Sequence, residues 1–295
     1  MTDLHFELHL PVSEPTLAIA LLSDHCVLSK QQLKLAMQKG AVWVTPAGAE
    51  SGAKSQRTQR VRRAKKMLKV GEEIHLYFDR EILDSVALPC ELIADFGGYS
   101  VWHKPNGTYS QGTKWGDHCT VARWSEQNLT PERPAFVVHR LDRATSGLIL
   151  LAHSKRATKA LSQMFEARLI KKRYQAMVHG RFPGELAVDR QTVNSSIDER
   201  VACSHFTPLR YLQEQDISLV DVDIETGRKH QIRRHLAELG FPIVGDRLHG
   251  IENTVASGQD LQLCAYQLHF TCPLTQEQRA LELAVEKHPW FSAAS

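Results

Sequence analysis

The chain is poor in the patterns that announce membrane proteins, secreted proteins and metalloenzymes. No apolar run approaches the 18 or so residues that span a bilayer, and the opening MTDLHFELHLPVSEP carries Asp3 where a secretion leader carries positive charge. A cytoplasmic protein with no membrane association is expected. The six cysteines, Cys26, Cys90, Cys119, Cys203, Cys264 and Cys272, are scattered, and no two stand at C-x-x-C spacing, so neither a zinc ribbon nor a redox pair is indicated and reduced thiols are expected. There is no G-x-S-x-G and no H-E-x-x-H. GTYSQGTK at 107–114 approximates a phosphate loop but ends Thr-Lys where Lys must precede the hydroxyl residue. His230 and His235, five apart on a predicted helix, diverge by about 140° and cannot share a metal. No metal, nucleotide or redox cofactor is expected.

What is present fits an ordinary globular enzyme. Hydrophobic residues make up 42% and charged residues 23% of 295, enough to bury a good core and, by length, more in keeping with two domains than one. The net charge is only +3, but eight Lys or Arg and no acid fall between Lys54 and Lys69, and further basic clusters occur in LIKKRY (169–174) and GRKHQIRRH (227–235). One such run is commonly a solvated helix face; three fit a polyanion surface.

In LSKQQLKLAMQKGAVWV, Ser29 and Gln32 form a capping-box pattern, Leu33 and Met37 give helical spacing, Gly40 stops the helix, and Val42 to Val44 extends. KVGEEIHLYFD turns at Gly71 and alternates Ile74, Leu76 and Phe78 with His75 and Tyr77, a half-buried strand. These elements make a small α+β domain over 1–80, and the aperiodic segment with Pro89 is read as a linker over 81–92. The domain over 93–295 opens with a strand into a Lys-Pro-Asn-Gly turn, then a strand from Val137 to Leu151. A helix capped by Ser154 follows, with Ala157, Leu161, Met164 and Phe165 on one face. Strands around Tyr174 and over ISLVDVDIETG come next, then a helix with Ile232, Leu236 and Leu239 inward and Gly240 as its stop. Strands and helices alternate without regular βαβ spacing, so the expected class is α+β with a mixed, largely antiparallel sheet and flanking helices.

The segment FVVHRLDRATSGLILLAHS sets one acid, Asp142, between Arg140 and Arg143 and runs straight into apolar sequence. A carboxylate buried at a strand mouth costs several kcal/mol unless paired, so Asp142 has either a structural partner or a chemical task. The run His139-Arg-Leu-Asp142-Arg-Ala-Thr145-Ser-Gly147-Leu-Ile-Leu resembles the active-site block of the RluA family of pseudouridine synthases. HKPNG (103–107), KKRYQAMVHG (171–180) and TGRKHQIRRHLAELGFPIVGD (226–246) are similar to further blocks of that family in the same order, so that the resemblance covers about residues 93–275. LQLCAYQLHF departs from it, with Cys264 where His is usual, at what is read as a peripheral position. The first domain looks like a degenerate form of the small RNA-binding domain often fused to these enzymes.

The resemblance implies a uridine isomerase acting on structured RNA, ribosomal or transfer, as a monomer and without cofactor. It implies Asp142 as the catalytic carboxylate, acting as nucleophile or as base at the sugar, with Arg233 as its salt-bridge partner. Tyr174 would stack on the flipped uracil and help remove the C5 proton; Arg140 would fill the vacated space or hold phosphates, and is otherwise a surface ion pair. Gly147 would permit close packing, Ile232 would press on the base, and Lys172 would sit near the backbone. Lys104, His139, Thr145, Arg228, His230 and Gln231 complete the implied substrate contacts. Two alternatives stand beside this: a metal-free hydrolase using Asp142 with His139, and an RNA-binding protein without catalysis. The loops KWGDHCT (114–120) and IENTVASGQD (251–260) are expected to be mobile without RNA.

Overall fold

The computed structural model describes residues 5–48, 58–251 and 258–290. The chain divides into two compact units, one of residues 1–87 with 111–124 and one of 88–110 with 125–295.

The first unit contains β1 (His5–Pro11), β2 (Thr16–Leu17), α1 (Ala18–His25), α2 (Lys30–Gln38), β3 (Val42–Thr45), β4 (Gln59–Arg60), β5 (Met67–Leu68), β6 (Glu73–Asp79) and α3 (Arg80–Asp84). The capping box read from the sequence forms: Ser29 Oγ accepts from the Gln32 amide and the Gln32 side chain accepts from the Ser29 amide. A four-stranded sheet in the order β1-β6-β3-β4 packs Ile74, Leu76, Val42 and Val44 against Leu22, Leu33 and Met37. The expected linker has secondary structure at its two ends, 81–84 and 91–92, and none over 85–90; Asp79 caps α3 through the Ile82 amide and Leu83 is buried, but the helix is too brief to show a period. Residues 111–124 belong to this unit rather than to the domain the sequence assigned them. Asp117 pairs with Arg60 and Arg62, Lys114 with Glu7, and the Trp115 ring meets His5 and Tyr77. KWGDHCT is therefore anchored, and two cations of the 54–69 run share the single carboxylate of Asp117. Residues 54–57 of that run, and 252–257 of the second expected mobile loop, lie outside the described residues.

The second unit is built on one ten-stranded sheet. Its strands are β7 (Glu91–Asp95), β8 (Tyr99–Lys104), β9 (Phe136–Val137), β10 (Ser146–Ala152), β11 (Lys171–His179), β12 (Gln191–Ile197), β13 (Arg200–Leu212), β14 (Ile217–Ile224), β15 (Leu263–Thr271) and β16 (Gln278–Glu282). The order is β12-β13-β14-β11-β15-β10-β8-β7, with β16 on β15 and β9 on β10. All pairs are antiparallel except β10 with β15. α4 (Val121–Asn128) starts among the first unit's residues and ends among those of the second, whose other helices are α5 (Lys155–Glu166) and α6 (Gln231–Glu238). Every residue of β10 is buried, as expected of a strand covered on both faces. Ser154 caps α5, which lays Ala157, Leu161 and Met164 on the sheet.

The expected continuous strand from Val137 to Leu151 is broken. Chain 138–145 leaves the sheet between β9 and β10, and that excursion carries Asp142. Gly147 returns it at φ +116°, where a Cβ would stand 2.3 to 2.7 Å from backbone atoms of Ala265; only glycine admits so close a parallel neighbour. Cys264 is not peripheral. It is fully buried, in register with Ser146 and Gln175, and burial pushes its thiol up to about 12. Among the described residues no helix is long and apolar enough to cross a membrane.

Candidate active site

Asp142 lies in the 138–145 excursion, whose turn closes when the Thr145 amide donates to the Asp142 carbonyl. Its side chain is 32% exposed, not buried as the sequence suggested. It opens on a cleft of about 390 Å³ lined also by Asn106, Arg143, His230, Arg233 and Arg247. Asp260 is a second acid in this lining beside the three arginines, and His230 Nε2 lies 3.9 Å from the Asp142 carboxylate. His230 holds the N-terminal end of α6 in the left-handed region, φ 54°. Its Nδ1 lies 3.2 Å from His249 Nε2. Burial lowers the His230 pKa, the Asp142 charge raises it and Arg233 lowers it, for a net decrease, so the imidazole facing Asp142 favours its neutral form.

The expected Arg233–Asp142 salt bridge is replaced by another. Arg233, 4% exposed, donates from Nε and Nη2 to the two oxygens of Asp246 at 2.7 and 2.6 Å. Asp246 also accepts from the amides of Leu248 and His249. Burial pushes the Asp246 carboxyl up, but these donors outweigh it and hold the group below its usual value. The reason is geometric: the turn after α6 offers a buried acid already held by two amides, and a bidentate guanidinium satisfies it completely. Arg233 still lines the Asp142 cleft.

Tyr174 stands on β11 beside a register shift between Arg173 and Tyr174, paired with Val222 and Ala265 and 6% exposed. Burial, and after it the charge of Asp142, push its phenol pKa up. The phenol is therefore protonated in the resting site and shares the electrostatic neighbourhood of Asp142.

Other implied contacts fall elsewhere. Lys104 is fully buried and donates to the carbonyls of Pro105, Thr108 and Arg143. Burial, only partly offset by Cys90 and by the charge of Asp142, drops its pKa to about 7. It braces the turns beside the cleft and cannot touch substrate. Gln231, 3% exposed, accepts from Thr226 Oγ1 and the Arg228 amide and donates to Cys203 O and Ser204 Oγ, a structural lock on the first turn of α6. Thr145 and Ile232 are buried at 3% and 6%. The His139 ring stacks on Phe165 at 4.3 Å and its Nε2 accepts the Leu150 amide; burial, with the charge of Lys172, lowers its pKa to about 3. A neutral ring so engaged cannot serve Asp142 as acid and base, which removes the hydrolase alternative. Lys172 and Arg228 border a second cleft of about 560 Å³ with Arg168 and Lys171, and burial lowers the Lys172 pKa. Arg140 is exposed, with no ion pair among the described residues. The sequence reading missed His249 and Arg247 and undervalued Asp246; the polar stretch GDRLHG directly after apolar PIV was the available signal.

Three comparisons bear on this arrangement. The family model described as RNA pseudouridylate synthase matches residues 98–238. The chain is 30% identical over 190 residues to tRNA pseudouridine synthase C of Salmonella typhimurium, covering 54% of this chain and 70% of that one. It is 28% identical over 282 residues to an RNA pseudouridine synthase of Aquifex aeolicus, covering 86% and 85%. Its fold is similar to that of human RNA pseudouridylate synthase domain containing 1, with a TM-score of 0.59 at 20% identity, covering 71% of this chain and 89% of that one. With the RluA-type blocks, the mixed sheet and the family match coinciding on the strands and helix that frame the Asp142 cleft, the chain belongs to the RNA pseudouridine synthases, enzymes that isomerise uridine in RNA.

Proposed function

We propose that Asp142 is the catalytic carboxylate and that the substrate is a uridine in structured transfer RNA. The observation that carries this reading is the accessible Asp142 carboxylate in a cleft whose lining includes Arg143, His230, Arg233 and Arg247 as well as a second acid, Asp260. Cations draw the polyanion in, and Asp142 is the acid that faces the sugar. Isomerisation breaks the N1–C1′ bond, forms C5–C1′, and moves the C5 proton to solvent while N1 takes one up. Asp142 acts at C1′ as nucleophile or at C2′ as base, and both routes need a carboxylate at the cleft mouth. Tyr174 gives the uracil a stacking wall; its phenol is protonated at rest and serves in removing the C5 proton only once its own proton has passed to solvent. Exposed Arg140 is suited to stack in the space a flipped nucleotide leaves. The relative named for transfer RNA supports that substrate class.

The test is carbodiimide mapping of pseudouridine as reverse-transcription stops in cellular RNA. A deletion strain is compared with strains restored by the intact chain or by Asp142→Asn. One stop in a transfer RNA should vanish on deletion and return only with the intact chain. Restoration by Asp142→Asn removes Asp142 from the chemistry, and a vanished stop in ribosomal RNA instead moves the substrate there.

A further inference from the structure

Cys203 and His205 stand two apart on β13, so the strand period sends both side chains to one face. Glu225 follows the end of β14, and its amide donates to the Cys203 carbonyl at 3.2 Å, which sets it beside Cys203 across the pair. Thr192 of β12 is in register with His205. β13 and the end of β14 thus bring a thiol, an imidazole and a carboxylate together at the far side of the sheet order from β10. His205 Nε2 is 3.7 Å from Cys203 Sγ and 2.9 Å from Glu225 Oε1, and the three donor atoms all lie within 4.8 Å of one another. In a tetrahedral zinc site, with metal–sulfur about 2.3 Å and metal–nitrogen or –oxygen about 2.0–2.2 Å, donor pairs stand roughly 3.3–3.6 Å apart. The two measured edges bracket that separation.

We propose that Cys203, His205 and Glu225 hold a divalent cation of the zinc class, with a water in the fourth position. The ligand chemistry selects it: thiolate and imidazole favour zinc over magnesium or calcium. The His205 Nδ1 lies 2.9 Å from Thr192 Oγ1. In the metal form Nδ1–H donates to that hydroxyl and leaves the Nε2 lone pair for the cation, the outer-shell arrangement that fixes a ligating imidazole. Glu225, with its side chain 58% exposed, gives the cation a route in from solvent. Without a metal the same atoms make an ordinary His205–Glu225 ion pair with the thiol as bystander, and the experiment separates the two.

The cation would act as a staple. The Cys203 amide donates to Thr226 Oγ1, which donates to Gln231, and Gln231 donates back to the Cys203 carbonyl. A metal at Cys203 therefore steadies the turn leading into α6, whose first residues place His230 and Arg233 at the cleft.

The full chain, purified and stripped of metal, is titrated with Co²⁺ and followed by absorbance. One equivalent should bind with a thiolate-to-cobalt band that Zn²⁺ displaces. Cys203→Ser and Cys203→Ala should both lose the band while keeping their circular dichroism. Glu225→Gln, at an exposed position that leaves the fold intact, should weaken Co²⁺ binding by roughly 10-fold or more, and Thr192→Val by about 10-fold. Absence of a thiolate band in the intact chain, or a band that persists without the Cys203 thiol, overturns the assignment.

Discussion

Replacing one acid at a time decides which carboxylate Arg233 serves. Asp246 is 2% exposed and bonded to both ends of a guanidinium that is 4% exposed. Asp246→Asn leaves that cation buried without its countercharge, a loss of about 3–5 kcal/mol. Asp142 is 32% exposed and lies 3.9 Å from the His230 imidazole, so Asp142→Asn removes at most about 1 kcal/mol. At about 1.4 kcal/mol per tenfold, native-state amide exchange in α6 and β15 should accelerate roughly a hundred- to several-thousand-fold in Asp246→Asn. In Asp142→Asn the acceleration should stay within about fivefold. The double variant Asp246→Asn, Arg233→Met should be less destabilised than the sum of its parts, because it leaves no orphaned charge. The pH dependence has a definite sign. The Asp246 pKa is held below 3.8 in the folded chain, so its stabilisation is complete above about pH 4 and disappears as pH falls through the folded value; Asp246→Asn should flatten that acid limb. Equal exchange rates in the two single variants would refute the Arg233–Asp246 assignment and restore the pairing read from the sequence.

Gly147→Ala should cost more than about 3 kcal/mol, since its Cβ meets the Ala265 backbone at a positive φ; denaturant unfolding reports it, and near-wild-type stability would contradict the close approach of β10 and β15. Tyr174→Phe should lower the single-turnover rate by about 10²–10⁴ with RNA affinity little changed, and an unchanged rate would confine Tyr174 to packing. Lys104 has a folded pKa of about 7 against 10.5 unfolded. The unfolded chain binds more protons between those values, so stability relative to Lys104→Met should rise with pH from 7 to 10; a flat difference would mean that the amine is charged in the fold.

The local elements were legible because their causes are local. Ser29 with Gln32, Ser154, Gly40 and Gly240 act within one turn of chain, and the apolar spacing of Ala157, Leu161 and Met164 needs no knowledge of what it packs against. The carbodiimide experiment will test whether the blocks around Asp142, Tyr174 and Arg233 also announce the chemistry they resemble. Short-range signals failed where two distant segments competed. Arg233 had two acids within the blocks, and only the turn that buries Asp246 under two amides chose between them. Lys104 and Gln231 sit in motifs that read as substrate contacts, yet the fold closes over both and spends their donors on carbonyls and on the first turn of α6. The Val137–Leu151 run is apolar enough to read as one strand, and only the crossing with β15 at Gly147 decides where the chain leaves the sheet. Residues 111–124 follow the first strands of the second unit in sequence but fold with the first, because Asp117 meets Arg60 and Arg62 there. Periodicity and capping are properties of neighbours along the chain; the pairing of charges, the burial of a lysine and the meeting of Cys203, His205 and Glu225 across strands belong to neighbours in space.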